Sequence, residues 1–459
     1  MNVIILSHKR SLNKTEGLIT ANLNNHITLV CDVVPNKSGD RYKPFIKHID
    51  DLVVSKKFDI IEITKQIISC DKVFCVSENL FPIQAQLESY YGINNMSAFA
   101  AEVFSNKQKL DDFCRVIGLQ HNVPKSITPT FHSQLDVFDG DEFFTKPDIG
   151  TGSNSFFPKS DQNTPIIEYR RWNNKHHFLD HLSKLNYHND FFEINKTGIQ
   201  NENFNNVPCK IMAQEYYWSE EPSISPYGYV KDGKVDCLFY VRNAKVKYGD
   251  VLNFHKNPID QHSISKTSDI AKDMAVWSIP VSEVDEEQHR IMYGFVQTIV
   301  DKLKVKDMYF AGPDFHISGK KLIAIDFNTR IGQFINILDK LPGNNIFNNI
   351  GNNKEPEITN HLLWGCTQLK PGVIKEIKNI EIVEQYLNYL NKKLEVGMNI
   401  PEFQNLQNKK FNVNLNITGR DQQYLIDNLK IEVNVDAGIY LEIVLKIEDE
   451  VIVQCPETL

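Results

Sequence analysis

Met308–Arg330, MYFAGPDFHISGKKLIAIDFNTR, is the segment around which the rest of the chain is arranged. Two runs rich in β-branched and aromatic residues flank Ser318-Gly319-Lys320, a turn-forming cluster. That pattern predicts a β-hairpin. A turn centred near Lys320 sets Asp314 opposite Asp326. Side chains alternate along a strand, so Asp326 and Asn328 share a face. The other face carries Phe315, Ile317, Ile323, Ile325 and Phe327 and reads as core. Directly opposed like charges destabilise a sheet, so a cation is expected between the two carboxylates. Two carboxylates and an amide form an all-oxygen set suited to Mg²⁺ or Mn²⁺, and Mg²⁺ usually comes with substrate phosphates. Taken alone, the hairpin also fits an ordinary solvated polar face.

Around this stretch lies a chain of 459 residues, enough for two to four domains with sizeable cores. Its 41% hydrophobic and 24% charged content is ordinary for a globular protein. A net charge of -8 argues against nucleic acid as partner. The eight cysteines, at 31, 70, 75, 114, 209, 237, 366 and 455, show no CxxC and no Cys/His metal spacing. Reduced thiols in a cytoplasmic protein are expected. MNVIILSHKRSL has its basic residues after its apolar run, the wrong order for a signal peptide, and no apolar run is long enough for a membrane span.

Residues 1–104 predict an α/β unit. Asn2–Leu6, Ile27–Val33 and Lys72–Val76 read as strands, and Pro44–Val53 and Phe81–Tyr91 as helices, an alternation that favours a parallel sheet. No GxGxxG follows the first strand. Ser77-Glu78-Asn79 ends the last one, where ligands of open α/β sheets gather. Glu78 is therefore a candidate to meet a cationic group, or simply a carboxylate favoured at a helix start. Ser105–Leu119 predicts a helix with Ser105 as N-cap. Lys107 in its first turn opposes the helix dipole, which suits a residue facing an anion, although taken alone it also fits an ordinary solvated surface lysine. A strand Glu142–Lys146 runs into Gly150-Thr151-Gly152-Ser153-Asn154-Ser155, a small-residue loop whose backbone N–H groups can cradle phosphate oxygens beside the point charge of Lys146. No GxxxxGK[ST] is present.

Residues 160–205 are polar and read as irregular insertions. From Met212 another strand is expected, with Gln214-Glu215-Tyr216-Tyr217 as a hinge whose backbone reads an adenine edge and Glu221 placed for ribose hydroxyls. A Tyr-rich strand packed on a sheet fits the same residues. Lys231-Asp232-Gly233-Lys234 predicts a hairpin turn. Asn243–Lys266 reads as a long lid-like loop, and Val284–Val305 as an amphipathic helix burying Ile291, Phe295, Ile299 and Leu303. The last hundred residues, with Phe411–Ile417, Asp421–Leu429 and Ile439–Ile447, predict a final α/β or β-rich subdomain covering the site.

In this order the segments VFCVSENLFPIQAQLESYYGI, SNKQKLDDFCRVIGL, FFTKPDIGTGSNS, AQEYYWSEEPSI, PDFHI and IDFNTRIG resemble the ATP-grasp superfamily, especially its carboxylate–amine ligases such as L-amino acid ligases and D-alanine–D-alanine ligase. The resemblance covers most of the chain. It implies an α/β ATP-grasp fold: a Rossmann-like pre-ATP-grasp domain (1–104), a subdomain with the phosphate loop (105–210), a core with the adenine hinge and metal hairpin (211–355), and a C-terminal α/β lid subdomain (356–459). It also implies ATP and Mg²⁺ (or Mn²⁺) as cofactors. Lys107, Lys146, Gly152 and Ser153 would contact phosphates, Gln214, Glu215 and Tyr217 the adenine, and Glu221 the ribose. Asp314, Asp326 and Asn328 would hold the metal. Arg330 would face the reacting carboxylate and the transferred phosphate, as catalytic and substrate-binding residue. Three departures stand out: Asp326 sits where the family usually has Glu, Gln333 near a glycine that many members have, and Ser219-Glu220 where the family has a Gly-rich hinge.

The implied reaction activates a carboxylate as an acyl phosphate for attack by an amine. Its partners are small molecules, with no nucleic acid and no membrane, and a homodimer is the base-rate expectation. Two other readings remain at this point: acyl transfer to a carrier-protein thiol or hydroxyl, and a nucleotide-binding regulator without turnover.

Overall fold

The computed structural model describes residues 1–35, 46–138, 142–149, 170–172, 175–176, 178–179, 199–201, 207–217, 222–246, 273–318, 321–341, 343–359, 362–368, 372–377, 387–389, 397, 399–400, 412–418, 432–435 and 438–442. The phosphate-loop residues Gly152 and Ser153, the ribose candidate Glu221, most of the Asn243–Lys266 loop and Asp421–Leu429 lie outside the described residues.

The amino-terminal sheet is parallel, as the alternation predicts. β1 (Asn2–Ser7), β2 (His26–Cys31), β3 (Asp51–Val54) and β4 (Lys72–Cys75) lie in the order β3-β2-β1-β4. All residues of β1 after Asn2 are buried, as expected of a strand covered on both faces. The helix expected over Pro44–Val53 is corrected: Asp51–Val54 pairs in parallel with Thr28–Cys31. The β-branched Val53-Val54 pair suits a pleated surface better than a helix.

The helix Lys107–Val116 begins one residue later than expected. Asn106, not Ser105, is its N-cap and accepts from the Lys109 N–H at 3.0 Å, while Ser105 closes the preceding helix, Ala98–Ser105. Both residues are competent caps. Asn106 is selected because its amide also donates to Asp148 Oδ2 at 3.0 Å.

A second sheet joins β5 (Ser126–Ile127), β6 (Phe143–Pro147) and β7 (Arg170–Trp172) to β10 (Ile211–Glu215) in the order β5-β10-β6-β7; β8 (Ile199–Asn201) and β9 (Val207–Cys209) form a separate ladder. The largest sheet starts from the hairpin and contains β11 (Ser223–Lys231), β12 (Lys234–Val246), β13 (Asp273–Ile279), β14 (Met308–Ser318), β15 (Lys321–Asn328) and β16 (Leu362–Gln368), with Asn412–Thr418 and Leu387–Tyr389 beyond it. The sheet runs across position 355, because β13 pairs with β16 through Met274↔Cys366 to Trp277↔Leu363. The carboxyl-terminal strands Leu362–Gln368 and Asn412–Thr418 thus extend the sheet of the hairpin. The predicted turn at Asp232-Gly233 joins β11 and β12 with both residues at positive φ, 51° and 80°. The helix Glu286–Leu303 is capped by Asp285 and buries Phe295, Ile299 and Leu303 together with Met292, Val296 and Val300. Among the described residues no helix is long and apolar enough to cross a membrane.

The hairpin forms, and its register refines the expectation. Asp314 does face Asp326, but by way of a bulge. From Ser318↔Lys321 to Phe315↔Ala324 the pairing alone would set Asp314 against Ile325; the shift between Asp314 and Phe315 moves it on to Asp326. The core face changes with it. Leu322 and Ala324 pair with Ile317 and Phe315 and join their cluster, whereas Ile323 pairs with His316 on the other side and Ile325 is only partly buried. Beyond the bulge the parity is restored, and Phe327 joins the same core cluster as Phe315.

Candidate active site

β6 and β10 pair with Lys146 beside Met212 and Phe144 beside Gln214, which puts Lys146 and Gln214 on one face of their sheet. Lys146 is buried, and its Nζ donates to the Ile325 carbonyl on the hairpin at 2.6 Å. Burial pushes its pKa down, and the negative charges of Asp326 and Asp111 oppose that. Lys107, in the first turn of its helix, brings Nζ within 3.8 Å of Asp326 Oδ1. Burial raises the Asp326 pKa, but Lys107, Lys146 and Arg330 outweigh it and hold the carboxyl below its usual range, so it stays ionised. Asp314 accepts from the Ser225 hydroxyl. Among the described residues no group of three or more His, Cys, Asp and Glu side chains forms a metal cluster. Asp314, Asp326 and Asn328 are two carboxylates and an amide, facing one another across the hairpin or following on the same strand.

At the hinge the adenine candidates are partly engaged. The Glu215 N–H donates to the Lys125 carbonyl at 2.8 Å, and its carboxylate accepts from the Tyr217 hydroxyl at 3.1 Å. The Tyr217 carbonyl lies 3.3 Å from His316 Nδ1 on the hairpin, and burial beside Glu215 pushes the Tyr217 phenol up to about 12. Gln214 is buried at 1% exposure, and among the described residues its Nε2 has no hydrogen-bond partner. An orphaned buried amide donor costs roughly 1–3 kcal/mol, which a ligand acceptor on that face would recover. The residues present therefore fit a nucleotide: a buried donor at the hinge, and two lysines converging on an ionised aspartate.

Arg330 and Glu78 meet across the first and third sheets. Arg330 Nε lies 3.2 Å from Glu78 Oε1, each side chain 9% exposed, without the alignment of a hydrogen bond. The guanidinium also donates to Asn328 Oδ1 at 3.1 Å and to the Ile331 carbonyl at 3.3 Å. Leu18, Phe74, Cys75, Phe81, Thr329 and Ile331 line a small cavity beside Arg330, and the buried Thr329 hydroxyl has no hydrogen-bond partner among the described residues.

The sequence reading missed Asp111. It sits one turn after Lys107 on the same helix face, accepts from the Ser126 hydroxyl at 2.8 Å, and lines a pocket with Lys107, Lys146 and Asp326. Its i,i+4 spacing from Lys107 was the available signal. Burial pushes its carboxyl up to about 6. A raised carboxylate pKa adds stability that is complete below the unfolded value and is lost as pH rises through the folded one. Asp111→Asn should therefore gain on the wild type between pH 4.5 and pH 8, by on the order of 2 kcal/mol, in urea unfolding at both pH values. An unchanged difference between the two proteins would refute the buried, raised carboxyl.

No family model matches the chain, and no curated relative matches it. Solved structures do. L-amino acid ligase from Bacillus licheniformis matches with TM-score 0.58 at 12% identity, over 93% of this chain and 96% of that one. Phosphoribosylglycinamide synthetase from Anaerococcus prevotii matches with TM-score 0.52 at 12% identity, over 95% and 99%. The ADP complex of N5-carboxyaminoimidazole synthetase from Staphylococcus aureus matches with TM-score 0.51 at 11% identity, over 93% and 95%. The chain has the ATP-grasp fold. Coverage near the full length of both partners places the amino-terminal parallel sheet, the Lys146 sheet and the hairpin sheet together within that ATP-grasp framework. At these identities the likeness concerns the ATP-grasp architecture and leaves the chemistry to this chain's own residues.

Proposed function

We propose that the protein is an ATP-dependent ligase that activates a carboxylate, that of an amino acid, as an acyl phosphate and passes the acyl group to an amine, releasing ADP and phosphate. The observation that carries this reading is the convergence of Lys107 and Lys146 on Asp326, whose charge Arg330 also stabilises. ATP-grasp neighbours solved with ADP, and an L-amino acid ligase among them, support it.

A carboxylate is a poor electrophile, and phosphoryl transfer to it brings two anions together. Positive charge placed at the transferred group lowers that barrier. On this reading Lys107 and Lys146 offset the phosphates, and Gln214 and the hinge orient the base. Asp314, Asp326 and Asn328 would hold Mg²⁺ or Mn²⁺, which supplies charge neutralisation at the phosphates. Arg330 offers a planar fork to the reacting carboxylate and to the oxyanion formed when the amine attacks. Glu78 offers a carboxylate to an amino group. No protein nucleophile is needed.

ADP release measured against panels of amino acids, amines and carrier proteins tests the proposal. Release that requires an amino acid together with an amine is expected. Release only with a carrier protein, or none at all, overturns it. Lys146→Ala is expected to raise the apparent KM for ATP at least tenfold and Lys107→Ala to lower kcat, in steady-state ADP assays. Unchanged kinetics in both would make them ordinary structural lysines.

A further inference from the structure

Three strand ends of the amino-terminal sheet meet at His8. It directly follows β1, Asp32 directly follows the neighbouring β2, and Ser77-Glu78-Asn79 lies just beyond β4 on the other side. Ligands of open α/β sheets gather at such carboxyl ends. The His8 ring is buried and engaged at both nitrogens. Nδ1 lies 3.3 Å from Asp32 Oδ2, and Nε2 lies 3.0 Å from Asn79 Nδ2. An ionised carboxylate only accepts, so Nδ1 donates to Asp32 and Nε2 accepts from the Asn79 amide. Phe58 meets the ring edge-on, with centroids 4.9 Å apart. Phe58 is itself held at φ 51°, a left-handed backbone that bulky residues rarely adopt. The imidazole is thereby fixed both in place and in tautomer.

What it holds is the turn of Glu78. Among the described residues Asn79 Oδ1 has no hydrogen-bond partner, so the bond to His8 is what orients that amide. On the other flank the Ser77 hydroxyl donates to Ser11 Oγ at 3.0 Å, and the Ser11 N–H donates to the His8 carbonyl at 2.8 Å. The segment after β1 thus grips the residues on both sides of Glu78, through His8 in each case. Glu78 opens a short 3-10 helix and stands 3.2 Å from Arg330 Nε. A carboxylate that is to meet an incoming ammonium has to be held within roughly 0.5 Å of its place by the residues around it.

We propose that His8 is a positioning residue for the amino substrate: held by Asp32, it fixes through Asn79 the turn that sets Glu78 against Arg330. The inference rests on the ligase reading above. The action runs through the ring nitrogens, so a side chain that replaces the right nitrogen replaces the function. Glutamine can place an acceptor where Nε2 stands. Asparagine reaches only as far as Nδ1, and leucine fills the space without either.

Steady-state ADP release with pairs of the twenty protein amino acids finds the fastest pair for the wild type, and that pair is carried through the variants. His8→Leu is expected to raise KM for one amino acid of the pair at least about tenfold, while KM for ATP and kcat stay within about threefold. His8→Gln should recover most of the loss and His8→Asn little of it. Asn79→Ala removes the same bond from its other end, at a partly exposed position, and should reproduce the His8→Leu effect even where that variant folds poorly. Wild-type KM values in Asn79→Ala, a loss spread equally over amino acid and ATP, or identical behaviour of His8→Gln and His8→Asn overturns the inference. If the wild type releases no ADP with any pair, the ligase reading fails, and crystal structures of the wild type and Asn79→Ala decide the His8 assignment. The contact between Glu78 and Arg330 opens beyond about 4 Å in the variant if the assignment stands, and is unchanged if it falls.

Discussion

Asp326→Ala is expected to abolish ATP turnover, with kcat down by at least about a thousandfold, while the protein still folds. Several kcal/mol of transition-state charge stabilisation pass through such a metal-holding carboxylate, and each 1.36 kcal/mol is a factor of ten. The Asp326 side chain is 29% exposed, so alanine there leaves no core cavity. The same change strips Lys107 and Lys146 of the anion between them. Lys146, already pushed down by burial, then loses the leading charge that opposes this and titrates lower still. Asp314→Asn should be comparably inactive, since an amide keeps a partner for Ser225 but loses the charge. ADP release with thermal unfolding and circular dichroism as controls checks both variants. Near-wild-type turnover in either would remove Asp314 and Asp326 from the metal role.

Arg330→Lys is expected to lose most activity while affinity for a non-hydrolysable ATP analogue is nearly kept. Lysine replaces the charge but not the planar fork that donates to Asn328 and to the Ile331 carbonyl and that, on the proposed function, would also meet the reacting group. Glu78→Gln is expected to act differently, weakening binding of the amino substrate and leaving the nucleotide alone. The structure adds a further consequence. Glu78 and Arg330 are buried against each other, and removing one partner of such a pair costs roughly 3–5 kcal/mol because the other charge is left uncompensated. Glu78→Gln should therefore also melt earlier than the wild type. A Glu78→Gln protein with wild-type melting and wild-type substrate dependence would return Glu78 to a plain helix-start carboxylate.

Much of this was legible in order along the chain, because it rests on local physics. The period-two runs either side of Ser318 predicted the hairpin, and Asp232-Gly233 predicted a turn that needs positive φ twice. The parallel amino-terminal sheet followed from buried β-rich runs separated by helices. Local signals failed where two neighbours offered equivalent chemistry. Ser105 and Asn106 are both caps, and the bond from Asn106 to Asp148, 42 residues away, made the choice. The helical reading before Val54 missed a strand whose partner, Thr28–Cys31, lies more than twenty residues earlier. On the hairpin, alternation predicted the facing aspartates but assigned Ile323 to the wrong side, because a bulge shifts parity without changing composition.

Amino-acid order shows which residue types stand at which step of each element: a lysine at the end of a strand, a lysine in a first helical turn, an Asp-x-Asn-x-Arg run. Only the tertiary structure decided which of them share a charge. Lys146 and Ile325 are 179 residues apart, and Arg330 and Glu78 come from two sheets. Periodicity reaches a turn or a strand and no further, whereas Coulomb energy in a poorly hydrated interior depends on distance through space. The buried Asp111 beside Lys146 therefore became visible once the sheets were packed together.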